Sequence, residues 1–511
     1  MVWYNDFTSS EKSIGICVRI DGMGFDSQDM KQKRWNEMKA AKVQSSNSGD
    51  NMTLDELLLN VKAVGLDSIV CQTEIKTEED KKSYQENGYQ VELTVDEFKA
   101  KYEVDPQHIW YTPSISFGTF YFNQETLAVC PFHIEYFQAK ERGMDMGLSV
   151  EGAYQAIKRR EQEVVNNDFV GSLMTLSDAM RLEYFKLLVD KKGKNIPNLY
   201  DLFIGFYTDS DYGFSNIDKD TINTIISSKT PNEKRSTTMK LKKYPDTLTI
   251  YRGGNSASTD YTQAYSWTLD ENTANFFAIR RGKGPAYIVK GEVSKKDVIE
   301  FIDGRNEEEI LVDPSKVKVV EVLELKGLDY LKEVLPKVAP LYHKYKETLE
   351  DLEYEQESSI HGVEHSARVL LLCLIMAEEL GLSMADKKIL ATAAIYHDTK
   401  RTHDWVEPEH GNAAMAYYHY DVTNPDPLVE FLCEYHCLPD DVGYQEIRNN
   451  RQLSKNKEKS MRLFKVFKDA DGLERVRLGN IRREMDLKQY RLPVTKGLTL
   501  VARLCLENVK L

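Results

Sequence analysis

The sequence predicts an α+β multidomain protein: an α+β N-terminal region, a mixed α/β central domain and an all-α C-terminal domain. Three observations predict it. The chain has 511 residues, enough for about three domains of ordinary size. A strand-rich tract from Thr247 to Leu325 interrupts a chain otherwise patterned for helices. Beyond it, Val369 to Ala377 is uniformly apolar, which marks a buried helix, and histidines and aspartates surround it where packing does not require them.

Composition narrows the class. No apolar run approaches the ~20 residues that a membrane helix needs. Met1-Val-Trp-Tyr-Asn-Asp lacks the basic start and apolar stretch of a secretion signal. The expectation is a soluble cytoplasmic protein with no membrane partner, or one delivered into a host cytoplasm without a cleavable signal. A net charge of -14 argues against coating nucleic acid through bulk charge. Locally the sign reverses over Lys234 to Lys243 and again from Arg448 to Arg491, where Lys and Arg crowd around Asp471 and favour a phosphate-bearing substrate. The seven cysteines are odd in number and scattered, so reduced thiols explain them better than disulfides.

In chain order, residues 1–148 form the first region. Thr53-Leu-Asp-Glu56 and Thr94-Val-Asp-Glu97 read as capping boxes that open helices, and Ile109 to Phe122 reads as one or two strands. Residues 149–325 form the second domain. Helices dominate to about Lys243, with Thr175-Leu-Ser-Asp178 as a cap and the polar stretch Ser227 to Ser236 as a loop. Strands follow from Thr247 to Gly254, Tyr265 to Thr268, Ala286 to Val289, Val298 to Phe301 and Val317 to Leu325, with a short helix through Phe276 and Phe277. Arg252 ends a strand beside Gly253 and Gly254, where glycine permits backbone amides to approach a phosphate. Glu307, Glu308 and Glu309 run into the apolar strand Ile310-Leu311-Val312, a costly arrangement unless a cationic species is stabilised there. Strand alternation puts Glu307 and Glu309 on one face and Glu308 on the other.

These segments resemble a mono-ADP-ribosyltransferase of the Arg-Ser-Glu class. Its strand-end Arg, Ser-Thr-Ser-like strand and Glu-x-Glu turn fall on Arg252, on Ser266-Trp267-Thr268 and on Glu307 with Glu309. The departure from the pattern is Trp267. The resemblance implies a split-sheet α/β fold that uses NAD as substrate, bound through Arg252, Gly253, Ser266 and Glu309. It implies Glu309 as the group that stabilises the oxocarbenium ion, Ser266 as its orienting partner, and Glu307 as the residue that positions or deprotonates the acceptor. The acceptor implied is a macromolecule, a protein arginine first, with nucleic acid also open.

Residues 326–360 read as a helical linker, charged from Tyr342 to Tyr354. In residues 361–511, His361-Gly-Val-Glu-His365-Ser-Ala-Arg368 and Tyr396-His397-Asp398-Thr-Lys400-Arg401 flank the apolar helix. A mixed nitrogen and oxygen donor set suits a divalent transition metal better than calcium. This segment resembles an HD-superfamily phosphohydrolase domain, whose ligand pattern falls on His365, His397, Asp398 and Asp471, with Asp471 preferred to Asp469. The resemblance implies one or two ions (Mn, Fe, Ni, Co or Zn), with His410 and His436 as candidates for the second. It implies a nucleotide or phosphoester substrate, with Arg368, Lys400 and Arg401 to neutralise its phosphate and Asp398 as ligand and proton acceptor.

Together these readings describe a bifunctional enzyme that transfers ADP-ribose and hydrolyses a phosphoester or pyrophosphate, in one version that of the attached ADP-ribose itself. Two others stay open. One is an ADP-ribosyltransferase toxin joined to an independent signalling-nucleotide or nucleic-acid phosphodiesterase. The other is an NAD- or nucleotide-sensing regulator with one inactive domain.

Overall fold

The structure, a computed structural model, describes residues 89–91, 100–105, 108–111, 119–131, 135–137, 150–176, 178–210, 217–282, 284–356 and 360–508. The capping boxes at Thr53 and Thr94 lie outside them. The chain divides into two compact units at Thr230/Pro231.

In the first unit, strands β1 (Tyr89–Val91) and β5 (Glu135–Phe137) pair antiparallel, and β2 (Ile109–Tyr111), β3 (Thr119–Asn123) and β4 (Ala128–Pro131) form a meander. The expected strand region from Ile109 to Phe122 therefore splits into two. Helices α1 (Val150–Val165), α2 (Val170–Thr175), α3 (Asp178–Lys192), α4 (Leu199–Asp209) and α5 (Lys219–Ser227) follow. Leu127, between β3 and β4, is fully buried in a left-handed conformation (φ 71°). Its carbonyl accepts from Tyr184 Oη at 2.6 Å and Ser172 Oγ at 3.3 Å, so two helices hold that strained turn.

The second unit opens with α6 (Pro231–Lys240). This corrects the expected loop from Ser227 to Ser236. Pro231 stands in the first helical turn, where its fixed φ and missing N–H favour a start. Thr237 Oγ1 then bonds Glu300 Oε1 at 2.9 Å and ties the polar helix to the sheet.

That sheet has the order β11-β8-β6-β7-β10-β9, built from β6 (Thr247–Asn255), β7 (Ser266–Thr268), β8 (Ala286–Ser294), β9 (Val298–Ile302), β10 (Glu309–Val312) and β11 (Lys318–Leu325). β6 pairs with β8 along its length, from Thr247↔Ser294 to Asn255↔Ala286. Its pairing with β7 is confined, among the described residues, to Tyr251↔Thr268. The sheet parts at that line, beside Arg252. Helix α7 (Glu271–Ile279) begins at Asp270, whose carboxylate accepts from Thr273 N at 2.8 Å, and lies across β6. The approach is close: a Cβ on Gly253 would stand 1.6 Å from the Ala274 carbonyl oxygen. Packing of α7 therefore already demands glycine at 253.

Helix α8 (Leu328–Glu350) occupies most of the expected linker. Leu331, Val334, Val338, Tyr342 and Leu349 repeat at helical spacing and are buried in the same core as the helices that follow. The segment is thus an integral wall of the helical part, and its charges lie on its outer face. After α8 come α9 (Val363–Glu379), α10 (Met384–Tyr396), α11 (His410–Asp421), α12 (Pro427–Tyr435), α13 (Asp440–Asn449), α14 (Lys457–Glu474), α15 (Ile481–Glu484), α16 (Pro493–Gly497) and α17 (Thr499–Asn508). Ala274, Ala278, Ile279 and Ile288 of the sheet part share one core with these helices. Among the described residues, no helix is long and apolar enough to cross a membrane.

Gly253→Ala should destabilise the protein by ~3 kcal/mol, because a methyl group cannot share the space of a backbone carbonyl. Gly304→Ala, where a Cβ meets nothing, should leave stability nearly unchanged. Denaturant unfolding of both variants checks the contrast, and equal midpoints would exclude close packing as the reason for glycine at 253.

Candidate metal centre and the sheet cleft

His365 lies on the first turn of α9, one turn before the fully apolar stretch that anchors the helix. His397 caps the C-terminus of α10, and Asp398 follows it. Tyr354 Oη donates to Ile395 O at 2.9 Å and Thr399 Oγ1 to Tyr396 O at 2.7 Å, so the turn carrying the pair is braced on both sides. His410 opens α11 and His436 caps α12. Asp471 lies on α14.

All six groups converge on one buried point. Asp398 Oδ2 lies 3.3 Å from His365 Nε2 and 3.8 Å from His397 Nε2, while Asp398 Oδ1 lies 3.0 Å from His410 Nε2 and 3.4 Å from His436 Nε2. His365 Nε2 is 3.2 Å from His397 Nε2 and 3.5 Å from Asp471 Oδ1; His410 Nε2 is 2.9 Å from His436 Nε2. His365, His397, Asp398, His410 and His436 are buried, whereas the Asp471 side chain keeps 30% exposure.

The tautomers decide what this cluster can hold. Nδ1 of His397 faces Ala394 O at 2.9 Å, Nδ1 of His436 faces Cys433 O at 2.8 Å, and Nδ1 of His410 faces Glu407 O. A carbonyl only accepts, so each Nδ1 carries the proton and each neutral ring turns its Nε2 lone pair inward. Lone pairs then face a carboxylate and one another at about 3 Å. Consistently, Asp398 Oδ1 is buried without a hydrogen bond although two imidazoles stand beside it. Positive charge among these atoms, a proton on His365 or a metal ion, relieves the repulsion, and imidazole nitrogen with carboxylate oxygen is the donor set of a divalent transition metal. Short contacts gather His365, His397, Asp398 and Asp471 around one point and Asp398, His410 and His436 around another, so the cage could hold one ion or two.

Charge states differ between the rings, and a metal ion has to displace a proton from His365 but not from His397. Burial, reinforced by the nearby His436 and His365 rings, pushes His397 down to about 3 and keeps it neutral. Burial favours the neutral acid of Asp398, but His397 and hydrogen bonds from His361 and His365 outweigh it and hold the carboxyl well below the usual range. Burial likewise opposes a charge on His365, yet Glu474 and Asp398 push it up to about 9.

Behind the cage stands His361, as its place beside the motif suggests, together with Glu474 and Arg477, which sequence reasoning missed. Glu474, 1% exposed, accepts from His365 Nδ1 at 2.7 Å and from Arg368 Nε at 2.6 Å, and it also pairs with Arg477. His361 Nδ1 stands 3.2 Å from Asp398 Oδ2 and 3.2 Å from an Arg477 nitrogen. Glu474 comes three residues after Asp471 on α14, a helical spacing that the sequence displays but does not aim at His365. Cys437 joins His410 and His436 in one potential ligand group.

The expected phosphate-binding cations divide. Arg401 is the one beside the cage, with a guanidinium nitrogen 3.5 Å from His410 Nε2. Arg368 is committed to Glu474 behind His365. Lys400 is held by Glu353 O at 3.1 Å and lies over the Tyr417 ring. Asp469 faces away, accepting from the main chain of Arg491 and Leu492 and from Thr495 Oγ1 at 2.7 Å, and so it is a structural anchor.

The second cluster lies where the sheet parts. Ser266 Oγ donates to Glu309 Oε1 at 2.5 Å from adjacent strands β7 and β10. Arg252 donates to Ser266 O at 2.7 Å and to Thr259 O at 3.0 Å, so its guanidinium spans the parting. Arg252, Ser266 and Glu309 are thus brought together. Trp267 points the other way into the core, its indole donating to Ala264 O at 3.0 Å. The three glutamates are not one strand: β10 begins at Glu309, and Glu308 adopts a left-handed conformation (φ 44°) that turns it toward Tyr244 Oη at 3.2 Å. Thr268 Oγ1 donates to Glu307 O at 2.6 Å and fixes that turn. Phe276 and Phe277 stack edge to face with Arg280 over them.

Two variants check the cage. Asp398→Ala removes the oxygens common to both groups, and elemental analysis after dialysis should find the divalent ion lost; a full equivalent retained would exclude Asp398 as a ligand. Glu474→Gln should weaken metal affinity about 10- to 100-fold with stoichiometry preserved, because the partner that orients His365 loses its charge. Titration with Mn²⁺ or Co²⁺ reads both affinity and stoichiometry.

Comparison with known proteins places a family on the helical C-terminal part of the chain only. Residues 362–475 match the HD domain family, which implies a metal-dependent phosphohydrolase, and the match contains the whole cage from His365 to Asp471. No curated protein and no solved structure matches the chain, and no family matches the sheet part.

Proposed function

We propose that the chain is a bifunctional enzyme, transferring ADP-ribose from NAD to a macromolecular acceptor and hydrolysing a phosphoester or pyrophosphate at the HD site. A divalent ion in the cage supplies Lewis acidity toward a phosphoryl oxygen and makes water a nucleophile at neutral pH. The chain's own residues do the rest. His365, His397, His410 and His436 would turn Nε2 toward the ion, and Glu474 holds His365 in register. Asp398 stays ionised as ligand and proton acceptor. Arg401, held by His403 O at 3.0 Å and Trp405 O at 2.9 Å, places positive charge beside His410, where a phosphate would enter.

For the transferase, the carrying observation is the 2.5 Å bond from Ser266 to Glu309 inside the parted sheet, with Arg252 bonded to the Ser266 carbonyl. A carboxylate oriented by a hydroxyl is preorganised to stabilise positive charge that develops on a ribose as nicotinamide departs. Arg252 sets the strand that carries Ser266 and contributes charge toward the NAD diphosphate. Glu307, two residues before Glu309 on a fixed turn, would receive the acceptor. ADP-ribose on an acceptor contains a pyrophosphate, so the HD half is suited to act on the product of the sheet half.

NAD labelled in the adenylate tests both halves. Glu309→Gln should lower label transfer at least about a hundredfold while NAD binding persists; transfer at the wild-type rate would remove the transferase reading. AMP appearing from the modified acceptor when Mn²⁺ is added would support sequential action, and intact ADP-ribose on it would mean that the HD domain has a separate substrate.

A further inference from the structure

Glu307 already faces a guanidinium, and that guanidinium comes from the helical half. Arg482, on the short helix α15, places a terminal nitrogen 3.6 Å from Glu307 Oε1. The same nitrogen lies 3.3 Å from Arg305 O and 3.4 Å from Asn306 O, and the guanidinium carbon stands 5.5 Å from the Phe276 ring centroid. Carboxylate, carbonyls and an aromatic face together form a cradle for a planar cation.

Two features distinguish this contact from a structural ion pair. Structural arginines here are bound short: Arg491 grips Asp440 at 2.7 and 2.8 Å, and Arg368 grips Glu474 at 2.6 Å. Arg482 is held only loosely and keeps 31% side-chain exposure. Its position is nonetheless imposed from outside. Asn272 on α7 donates to Asp486 Oδ1 at 3.0 Å and accepts from Leu487 N at 2.9 Å, and Lys496 pairs with Glu271 at 2.7 Å. Thr499 Oγ1 donates to Asn275 Oδ1 at 2.8 Å in a buried contact. Docking of the helices on α7 therefore delivers an arginine to the turn that carries Glu307, without binding it tightly there.

We propose that Arg482 is an acceptor for this chain's own transferase, so that ADP-ribose from NAD is attached to it in cis. The inference rests on the transferase reading above. In the step, a guanidinium nitrogen of Arg482 gives its proton to the Glu307 carboxylate and its lone pair bonds to C1′ of the nicotinamide ribose. The C1′–nitrogen bond breaks, nicotinamide leaves neutral with the bonding pair, and Glu307 releases the proton to water. Glu309, oriented by Ser266, steadies the cationic sugar between the two bonds. An acceptor from another molecule has to displace Arg482 first, so self-modification precedes transfer in trans.

The test uses the full chain with NAD and EDTA, which keeps hydrolysis at the metal cage silent, followed by peptide mapping by mass spectrometry. One ADP-ribosyl group on Arg482 is expected, formed with a rate constant unchanged over a tenfold dilution of protein, as an intramolecular step requires. Arg482→Lys should lose at least nine-tenths of the label. A loosely held pair contributes little stability, so its unfolding midpoint should stay within about 2 °C of the parent. Nicotinamide release with label elsewhere, unchanged in Arg482→Lys, would overturn the proposal and leave the transferase intact. No nicotinamide release at all would overturn the transferase reading and this proposal with it.

Discussion

A single ionised carboxylate in a dry interior governs the helical half of this protein. Asp398 is almost wholly removed from water, and an unpaired charge in such surroundings is costly. Four helix ends meet around it, those of α9, α10, α11 and α12, each bringing an imidazole. The same local device orients three of them: Nδ1 of His397, His410 and His436 bonds the carbonyl three residues earlier. At the C-termini of α10 and α12 the bond also satisfies a last-turn carbonyl, and all three rings aim Nε2 at the same point. Neutral donors around an anion leave a net demand for positive charge, which is why the arrangement selects a cation rather than a substrate group. His365 is oriented differently, by the buried Glu474, and the charge of Glu474 is in turn balanced by Arg368 and Arg477.

A second constraint joins the halves. Gly253 lets α7 lie directly on β6, against the backbone of the small residues Ala274 and Ala278. The polar face of α7 then meets the C-terminal helices through Glu271, Asn272 and Asn275. As a result, the sheet and the metal cage belong to one packed unit, not to beads on a tether. α8 contributes to that unit with a buried stripe, and any chemistry coupling the two clusters acts within a fixed frame.

Much of this was legible because the signals are local. An apolar helix followed by adjacent His and Asp retains its meaning whatever the rest of the chain does, whereas Arg252, expected at a strand end, lies inside β6, which continues to Asn255. The sheet strands lie close to where alternation and β-branched residues put them. The errors have equally physical origins. α6 has no apolar stripe, so its polar residues from Ser227 to Ser236 read as loop, although Pro231 and the tie from Thr237 to Glu300 suffice to form a helix. α8 read as a spacer because its charges outnumber the five core contacts that hold it. Lys400 and Arg368 have the right charge for a phosphate, yet the partners that claim them, Glu353 O and Glu474, are distant in sequence.

By itself the sequence determined the chemical inventory: which residues could ligate a metal, and which helices and strands would carry them. Those properties depend on residue type and short spacing, which the order of amino acids states directly. Tertiary structure alone decided the pairings, including Glu474 with His365, His361 with Asp398 and Arg482 with Glu307. Such contacts join positions more than thirty residues apart. Their partners are chosen by the packing of α7 and α14 against their neighbours, and no periodicity along the chain encodes that choice.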